Sequence, residues 1–206
     1  MLIDGNVIWI PNYVIKSPRE CGSIIVNPKD LKYRVLLIHK DKEELRGTNI
    51  LKFIEWGETQ GFHERPTCAS RQRWYELSLQ ERKENILCRR FFDEIHNWPL
   101  NIVGAYVDQT YYIAYIKDDI SFLAVAYLNS TLGSLFTEIY GRFNLGQGAL
   151  QYAVYESASL PIYNPKNISD FSKQKLIYAI KLLSNRLIKT VFDEIGANFP
   201  EEVSLD

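Results

Sequence analysis

The sequence is poor in the residues that build cross-links and metal sites. Its cysteines are odd in number, widely spaced and without a Cys-x-x-Cys pair: Cys21, Cys68 and Cys88. This pattern argues against a disulfide framework or a zinc knuckle and fits a reducing cytoplasm. Its histidines are isolated, without His-x-x-x-His spacing: His39, His63 and His96. We therefore predict no metal in this chain.

Long apolar runs and an excess of one charge are also missing. The longest apolar run, 122–128, is far shorter than the ~20 residues that a membrane span requires. The 24 Lys+Arg and 25 Asp+Glu residues give a formal net charge of -1. Because there is no overall basic field, any site for a polyanion must be a local patch. We expect a cytoplasmic protein with no membrane partner.

The sequence does have enough length and aromatic content for a folded domain. Its 206 residues can bury one full core. Aromatic residues make up 13% of the chain, which excludes a disordered protein and favours a half-buried sheet with aromatic surface left for contacts.

Residue patterns predict strands over 7–15 and 34–39, and a hairpin of 102–107 with 110–116 around Asp108-Gln109. A helix capped by Thr48 would place Ile50, Phe53 and Ile54 on one face. Two helices would end at Leu128 and Gly141. A long closing helix is predicted over about 169–195. These elements predict an α+β fold with a mixed or antiparallel sheet, packed helices and a long C-terminal helix.

The sequence contains no Gly-x-Ser-x-Gly elbow and no phosphate-binding P-loop motif. Gly146-Gln147-Gly148 is not a dinucleotide loop, because Gln151 stands where a third small residue belongs. Two interpretations of these glycines remain open. They allow close backbone approach to a flat or phosphate-like group, or they form an ordinary turn.

A basic and aromatic block over 65–92 is the strongest physical signal. It holds seven Lys or Arg residues against three Glu, within a chain of net charge -1. Arginine grips phosphates and guanine edges with two donors, and nearby aromatics can pack on sugars or bases. The alternative is a solvated basic surface. The candidate DNA contacts are the block's arginines and a later loop: Arg65, Arg71, Arg73, Arg89, Arg90, Arg142, Asn144, Gly146, Gln147 and Gly148.

The order of several motifs is more specific than any one of them. They are Trp56-Gly57, Gly61, Arg65-Pro66, Arg73-Trp74-Tyr75-Glu76-Leu77, Ile86-Leu87-Cys88-Arg89-Arg90-Phe91, Tyr111-Tyr112-Ile113, the run 123–132, Tyr140-Gly141-Arg142, 146–150 and Leu160-Pro161-Ile162. Over roughly residues 30–200 this series resembles the C-terminal region of TaqI-like and Eco57I-like adenine-specific DNA methyltransferases of restriction-modification systems. The resemblance implies a single target recognition domain over 1–206 that reads double-stranded DNA.

The family's catalytic loop, which holds a flipped adenine, carries two prolines followed by an aromatic residue. Both Asn27-Pro28-Lys29 and Asn164-Pro165-Lys166 have lysine in place of the second proline. The resemblance therefore implies no catalytic residues in this chain. It also implies that S-adenosylmethionine binds to an associated catalytic domain, in the same longer chain or in a separate subunit.

Two other functions remain open from the sequence. The chain could be a metal-dependent nuclease that uses Glu43, Asp118 and Asp119, which a divalent-metal cleavage assay would detect. It could also be a protein-interaction or scaffold subunit with exposed aromatics. Binding that is insensitive to salt would favour this last interpretation.

Overall fold

The computed structural model describes residues 2–3, 6–7, 11–116, 120–143, 149–164 and 167–196. The described strands are short. They are β1 (Leu2–Ile3), β2 (Asn6–Val7), β3 (Tyr13–Ile15), β4 (Tyr33–Arg34), β5 (Asn85–Arg89), β6 (Phe91–Phe92), β7 (Leu100–Asn101), β8 (Tyr106–Val107), β9 (Tyr111–Ala114) and β10 (Leu150–Gln151).

The described helices confirm the predicted mixture of helix and sheet. They are α1 (Asn49–Thr59), α2 (Pro66–Ala69), α3 (Ser121–Leu128), α4 (Thr131–Tyr140), α5 (Val154–Ser159), α6 (Asp170–Leu183) and α7 (Val191–Ile195). Thr48 caps α1 through its hydroxyl, as the sequence predicted, and Ser130 caps α4 in the same way. The fold class is α+β, as expected.

The chain divides into two compact units, which we describe separately. The larger unit comprises Met1–Arg34 and Arg82–Asp206, and the inserted unit comprises Val35–Glu81. A single recognition domain over 1–206 stays a prediction.

The larger unit is built around β5, whose five residues are all buried. β5 pairs antiparallel with β7 and with β9, and a second sheet has the order β4-β3-β8. The apolar core includes Ile86, Phe92, Leu100, Val125 and Tyr152. α3 supplies many of the buried residues and packs against β5 and β7, and α6 packs against α3 and adds Ile180 to the core.

The predicted hairpin of 102–107 with 110–116 is wrong. Both segments contain strands, but β8 pairs parallel with β3, with Val14 opposite Tyr106, while β9 pairs with β5. The Asp108 carboxylate accepts hydrogen bonds from the Thr110 backbone and hydroxyl at 2.8 and 2.7 Å. This turn therefore carries the chain from one sheet to the other.

The single closing helix predicted over 169–195 is also wrong. α6 ends at Leu183, and α7 begins after Thr190, whose hydroxyl accepts a hydrogen bond from Asp193. The segment between the helices is held to the rest of the larger unit by backbone hydrogen bonds. The Ile188 amide donates to the Gly22 carbonyl at 2.9 Å. The amide of Val191 donates to the Glu94 carbonyl at 2.8 Å.

Candidate nucleic-acid interface

The basic block 65–92 is not one structural element. Residues 65–81 belong to the inserted unit and residues 82–92 to the larger unit. The candidate arginines therefore have two different structural settings.

The inserted unit has its own small core of Ile38, Leu45 and Ile54, against which Trp74 and Tyr75 pack. Gly57 lies on the α1 face that meets Trp74. A Cβ at Gly57 would lie 2.5 Å from Cη2 of Trp74, so this close approach requires glycine. The Trp74 indole donates to Glu58 Oε1 at 2.9 Å. The motifs Trp56-Gly57 and Arg73-Trp74-Tyr75-Glu76 are thus brought together by packing.

Arg73 is held by two carboxylates. Its Nε donates to Asp41 Oδ1 at 2.7 Å and its Nη1 to Glu76 Oε2 at 2.6 Å. His39 Nδ1 lies 2.8 Å from the other oxygen of Glu76. The hydrogen bonds from His39 and Arg73 lower the pKa of Glu76, although partial burial opposes the shift. Arg73 therefore has a structural role, and its contact with DNA stays a prediction.

Arg65 and Arg71 are exposed. Arg71 donates to the Glu76 carbonyl at 3.1 Å, and neither guanidinium has a carboxylate partner among the described residues. Arg65 lies over the ring of Phe62, with its guanidinium carbon 4.5 Å from the ring centroid. Both side chains can therefore still bind a phosphate.

Arg65 continues a row of aromatic side chains on the inserted unit. Phe53 stacks on Trp56 and Trp56 meets Phe62 edge to face, each pair with centroids 5.6 Å apart. Phe53 is 54% exposed and Trp56 49% exposed. We call Phe53, Trp56, Phe62 and Arg65 the aromatic–arginine surface. Phe53 shares an exposed face with Trp56, whereas Ile54 is fully buried, so Phe53 does not lie on the core face of α1 with Ile54.

The candidate arginines of the larger unit differ in burial. Arg89 is only 8% exposed, and its Nη1 donates to the Ile95 carbonyl at 2.7 Å. Arg90 is half-buried over Tyr112, with its guanidinium carbon 4.6 Å from the ring centroid. Any contact of Arg89 with DNA must therefore be made inside a cleft rather than on an open surface.

Arg142 is the first of the later candidate residues in the sequence. Its Nε lies 2.5 Å from Oε1 of Glu156, and its guanidinium carbon lies 5.6 Å from the Tyr155 ring centroid. Arg142 and Gln151 exchange backbone hydrogen bonds of 3.0 and 2.9 Å. The other later candidates, Asn144, Gly146, Gln147 and Gly148, lie outside the described residues and stay predictions.

Sequence reasoning missed two residues, Arg19 and Asn97, that line the same cleft as Arg89. Arg19 is exposed, and Asn97 is buried with its amide nitrogen donating to the Cys21 carbonyl at 2.8 Å. Neither residue belongs to a motif, so no sequence signal could have selected them. The exposed Trp56 could have been found, because its neighbour Gly57 drew attention to the same motif.

The nuclease interpretation receives no support from acidic clusters in the described part of the chain. Among those residues, no group of three His, Cys, Asp or Glu side chains is placed to hold a metal ion. Glu43 is exposed in the inserted unit, and Asp118 and Asp119 lie outside the described residues. No helix among the described segments is long and apolar enough to cross a membrane.

Comparison with known proteins gives a match to a family model and matches to solved structures. The family model of the type II methyltransferase M.Eco57I C-terminal domain matches residues 23–198. The type IIG restriction endonuclease BpuSI has a similar structure, with a TM-score of 0.62 and 13% sequence identity over 88% of this chain. The chain spans 22% of the BpuSI chain, and the low identity shows a shared fold alone. No curated protein matches. The family match confirms the predicted resemblance, and the chain therefore belongs to the family of M.Eco57I C-terminal domains.

Proposed function

We propose that this chain is the sequence-specific DNA recognition module of an adenine-specific DNA methyltransferase from a restriction-modification system. The observation that carries the proposal is the family match over 23–198, which describes the C-terminal domain of a type II methyltransferase. The methyl-transfer chemistry belongs to an associated catalytic domain, which binds S-adenosylmethionine. The module acts in the cytoplasm.

The proposed DNA contacts divide into two kinds. Arg65 and Arg71 bind backbone phosphates, because both are exposed and have no carboxylate partner among the described residues. The rings of Phe53 and Trp56 pack against sugars or bases beside them. Base readout belongs to residues 144–148, where an amide such as Gln147 can pair with a base edge through two hydrogen bonds.

Selection of duplexes from a random-sequence pool tests this proposal. The full chain should enrich duplexes that share a short sequence motif. The logarithm of its binding constant for the duplex should fall linearly with the logarithm of the salt concentration, because binding releases counterions from the phosphates. Retention of DNA without enrichment would contradict sequence recognition. If the chain instead binds a protein partner with an affinity that does not change with salt concentration, the scaffold interpretation is favoured.

A second experiment tests whether cofactor binding and methyl transfer require the associated catalytic domain. Calorimetry of the isolated chain with S-adenosylmethionine should show no binding, and a methyl-transfer assay on the enriched duplex should show no turnover. No binding is expected because the sequence lacks the family's glycine-rich loop for S-adenosylmethionine. No turnover is expected because both Asn-Pro-Lys sites lack the second proline and the following aromatic of the catalytic loop. Clear binding with turnover would overturn this part of the proposal.

One observation favours a second role, docking onto the catalytic domain. Leu132, Leu135 and Ile139 follow helical spacing on α4 and are 49%, 53% and 62% exposed. The opposite face of α4 buries Gly133 and Thr137, so the helix is apolar on the side that its own unit leaves open. Replacement of Leu135 and Ile139 with Lys should weaken association with the methyltransferase domain and leave affinity for duplex DNA unchanged. Unaltered association would contradict this role.

A further inference from the structure

The larger unit contains a cleft of about 380 Å³ between residues 17–22 and 89–97. Arg89 and Asn97 lie in its wall, Cys21 lies beside them, and Arg19 and Asp93 also line it. Arg19 is exposed, and its guanidinium has no hydrogen bond or ion pair with a described residue, whereas the Asp93 side chain is 65% exposed. The cleft therefore combines a buried cation with a more accessible one.

The buried cation has an ion-pair partner in Asp93, but this carboxylate is exposed and does not hydrogen-bond to it. The Nε of Arg89 is buried and has no hydrogen-bond partner in the described part of the chain. Its nearest carboxylate, Asp93, lies 3.6 Å from Nη1, which is beyond hydrogen-bonding distance. Removing a guanidinium from water is unfavourable unless an anion and hydrogen bonds compensate it. Arg89 is thus prepared for an anion that enters the cleft.

The other polar groups of the cleft limit what can bind. Glu20 is not in the wall of the cleft, but it is buried next to Arg19 and Cys21 and its charge opposes an anion. Its Oε2 accepts the backbone amides of Lys16 and Ser17 at 2.8 and 3.1 Å, whereas its Oε1 has no hydrogen-bond partner among the described residues. The Oδ1 of Asn97 is an acceptor without a partner among the described residues. An acceptor cannot contact a phosphate oxygen directly, so we expect a bridging water there.

We propose that this cleft binds a backbone phosphate of duplex DNA, with Arg89 as the buried ligand and Arg19 as the outer one. The choice of DNA as the source rests on the proposed function, whereas the anion site itself rests on the geometry. Arg89 thereby contacts DNA from within a cleft, although it is not on an open surface.

The test uses the full chain and two probes, inorganic phosphate and a DNA duplex. Arg19→Ala removes the outer ligand. Asp93→Asn removes the competing negative charge but keeps the oxygen that accepts the Ile95 amide at 3.1 Å. Arg46→Ala is the matched control for the phosphate probe, because Arg46 is an exposed arginine of the inserted unit. None of these variants removes a buried side chain.

At constant ionic strength, phosphate should raise the melting temperature of the wild type, because a ligand that binds only the folded state stabilises it. The rise should be smaller for Arg19→Ala, larger for Asp93→Asn and unchanged for Arg46→Ala. Duplex affinity should fall about fivefold for Arg19→Ala, with a salt slope lower by about 1, and should increase for Asp93→Asn.

The outcomes separate the site from the proposed function. If the wild type binds the duplex but neither variant changes either probe, the phosphate site is overturned and DNA recognition stands. If phosphate responds as expected but the duplex affinity of both variants equals that of the wild type, DNA is overturned as the source and the ligand is a free phosphate. If the wild type does not bind the duplex, the phosphate arm still decides whether the site exists.

Discussion

Trp56 and Gly57 are adjacent residues with opposite roles. Gly57 faces the core of the inserted unit, where its missing side chain leaves room for Trp74, and Trp56 points outward and is 49% exposed. The sequence identified both as one motif, but only the packing separates a structural residue from a candidate contact. A helix interior normally disfavours glycine by about 1 kcal/mol relative to alanine, so the close contact with Trp74 must outweigh that preference.

Gly57→Ala should therefore destabilise the inserted unit. A Cβ placed 2.5 Å from Trp74 Cη2 forces the indole to move, and such overpacking costs typically about 1–3 kcal/mol, which exceeds the gain in helix propensity. Urea unfolding followed by circular dichroism measures the change. In a Trp74→Phe background the same substitution should cost less, because the smaller ring leaves space. An equal cost in both backgrounds would show that the contact is not the cause.

Arg71 and Arg73 should respond differently to replacement with alanine. Arg71→Ala should weaken duplex binding and leave the unfolding free energy nearly unchanged, because Arg71 is exposed and makes one hydrogen bond to a carbonyl. Arg73→Ala should lower stability as well, because it leaves Asp41 and Glu76 without their cation. Fluorescence anisotropy beside urea unfolding separates the two effects. Undiminished affinity in a folded Arg71→Ala variant would remove Arg71 from the interface.

The elements show where local sequence patterns stop being informative. The strands at 106–107 and 111–114 lie in segments of strand-forming residues, but the pairing partner of β8 is β3, about 90 residues earlier in the chain. A hairpin is the default for two nearby strands, and a parallel pairing with a distant strand leaves no local signal. The alternation of residues thus predicted the strands and not their partners.

The prediction of a single closing helix over 169–195 was wrong for a related reason. The apolar spacing continues from α6 through Leu187, but Leu187 is 71% exposed and the chain there has left helical geometry. Hydrogen bonds to Gly22 and Glu94 hold residues 188–191 in place, and these partners are far away in sequence. A local signal for a new helix was present in Thr190, whose hydroxyl caps α7, and the regular spacing obscured it.

The ion pair between Arg186 and Glu194 fixes α7 to the end of α6. Two hydrogen bonds of 2.6 and 2.7 Å join the guanidinium to the carboxylate, and they lower the pKa of Glu194, with partial burial opposing the shift. A carboxylate with a lowered pKa in the folded state stabilises the protein above its unfolded pKa, and this contribution is lost as the pH falls through the folded pKa.

Glu194→Gln should therefore reduce stability at neutral pH. The expected loss is about 0.5 kcal/mol, because a third of the carboxylate side chain is exposed and solvent screens the pair. The difference from the wild type should shrink once the pH falls below about 4.3, the usual pKa of glutamate. Urea unfolding at a series of pH values measures this. A difference that does not change with pH would assign the effect to the hydrogen bonds alone.

The candidate site as a whole was predictable in composition and not in arrangement. The sequence singled out arginines and aromatics, and Arg65 and Arg71 are exposed as a contact role requires. It could not show that the division at Glu81 separates them from Arg89 and Arg90. Nor could it show that Arg89 is buried, because the burial of a strand residue depends on helices and loops that are distant in sequence.

The path of the chain indicates how the two units can be separated experimentally. The larger unit is interrupted after β4, where Arg34 lies opposite Tyr13. It resumes at Arg82, whose guanidinium donates to the Pro11 carbonyl at 3.0 Å and to the Asn12 side chain at 3.1 Å. Both ends of the insertion therefore meet the same short stretch of chain, residues 11–13. A flexible linker of about eight Gly and Ser residues, with a root-mean-square span of roughly 16 Å, can join them.

Replacement of residues 35–81 by such a linker should leave the larger unit folded, with a cooperative thermal transition, because its cores contain no residue of the inserted unit. The shortened chain should keep the response of the Arg89 cleft to inorganic phosphate.

The duplex affinity of the shortened chain should fall at least as far as that of the full chain with the substitutions Arg65→Ala and Arg71→Ala, because the deletion removes those arginines together with the aromatic–arginine surface. Anisotropy titrations over a salt series measure both proteins. If the shortened chain is folded and binds the duplex as tightly as the full chain, the DNA contacts lie entirely in the larger unit, and the assignment of Arg65 and Arg71 to the interface is wrong.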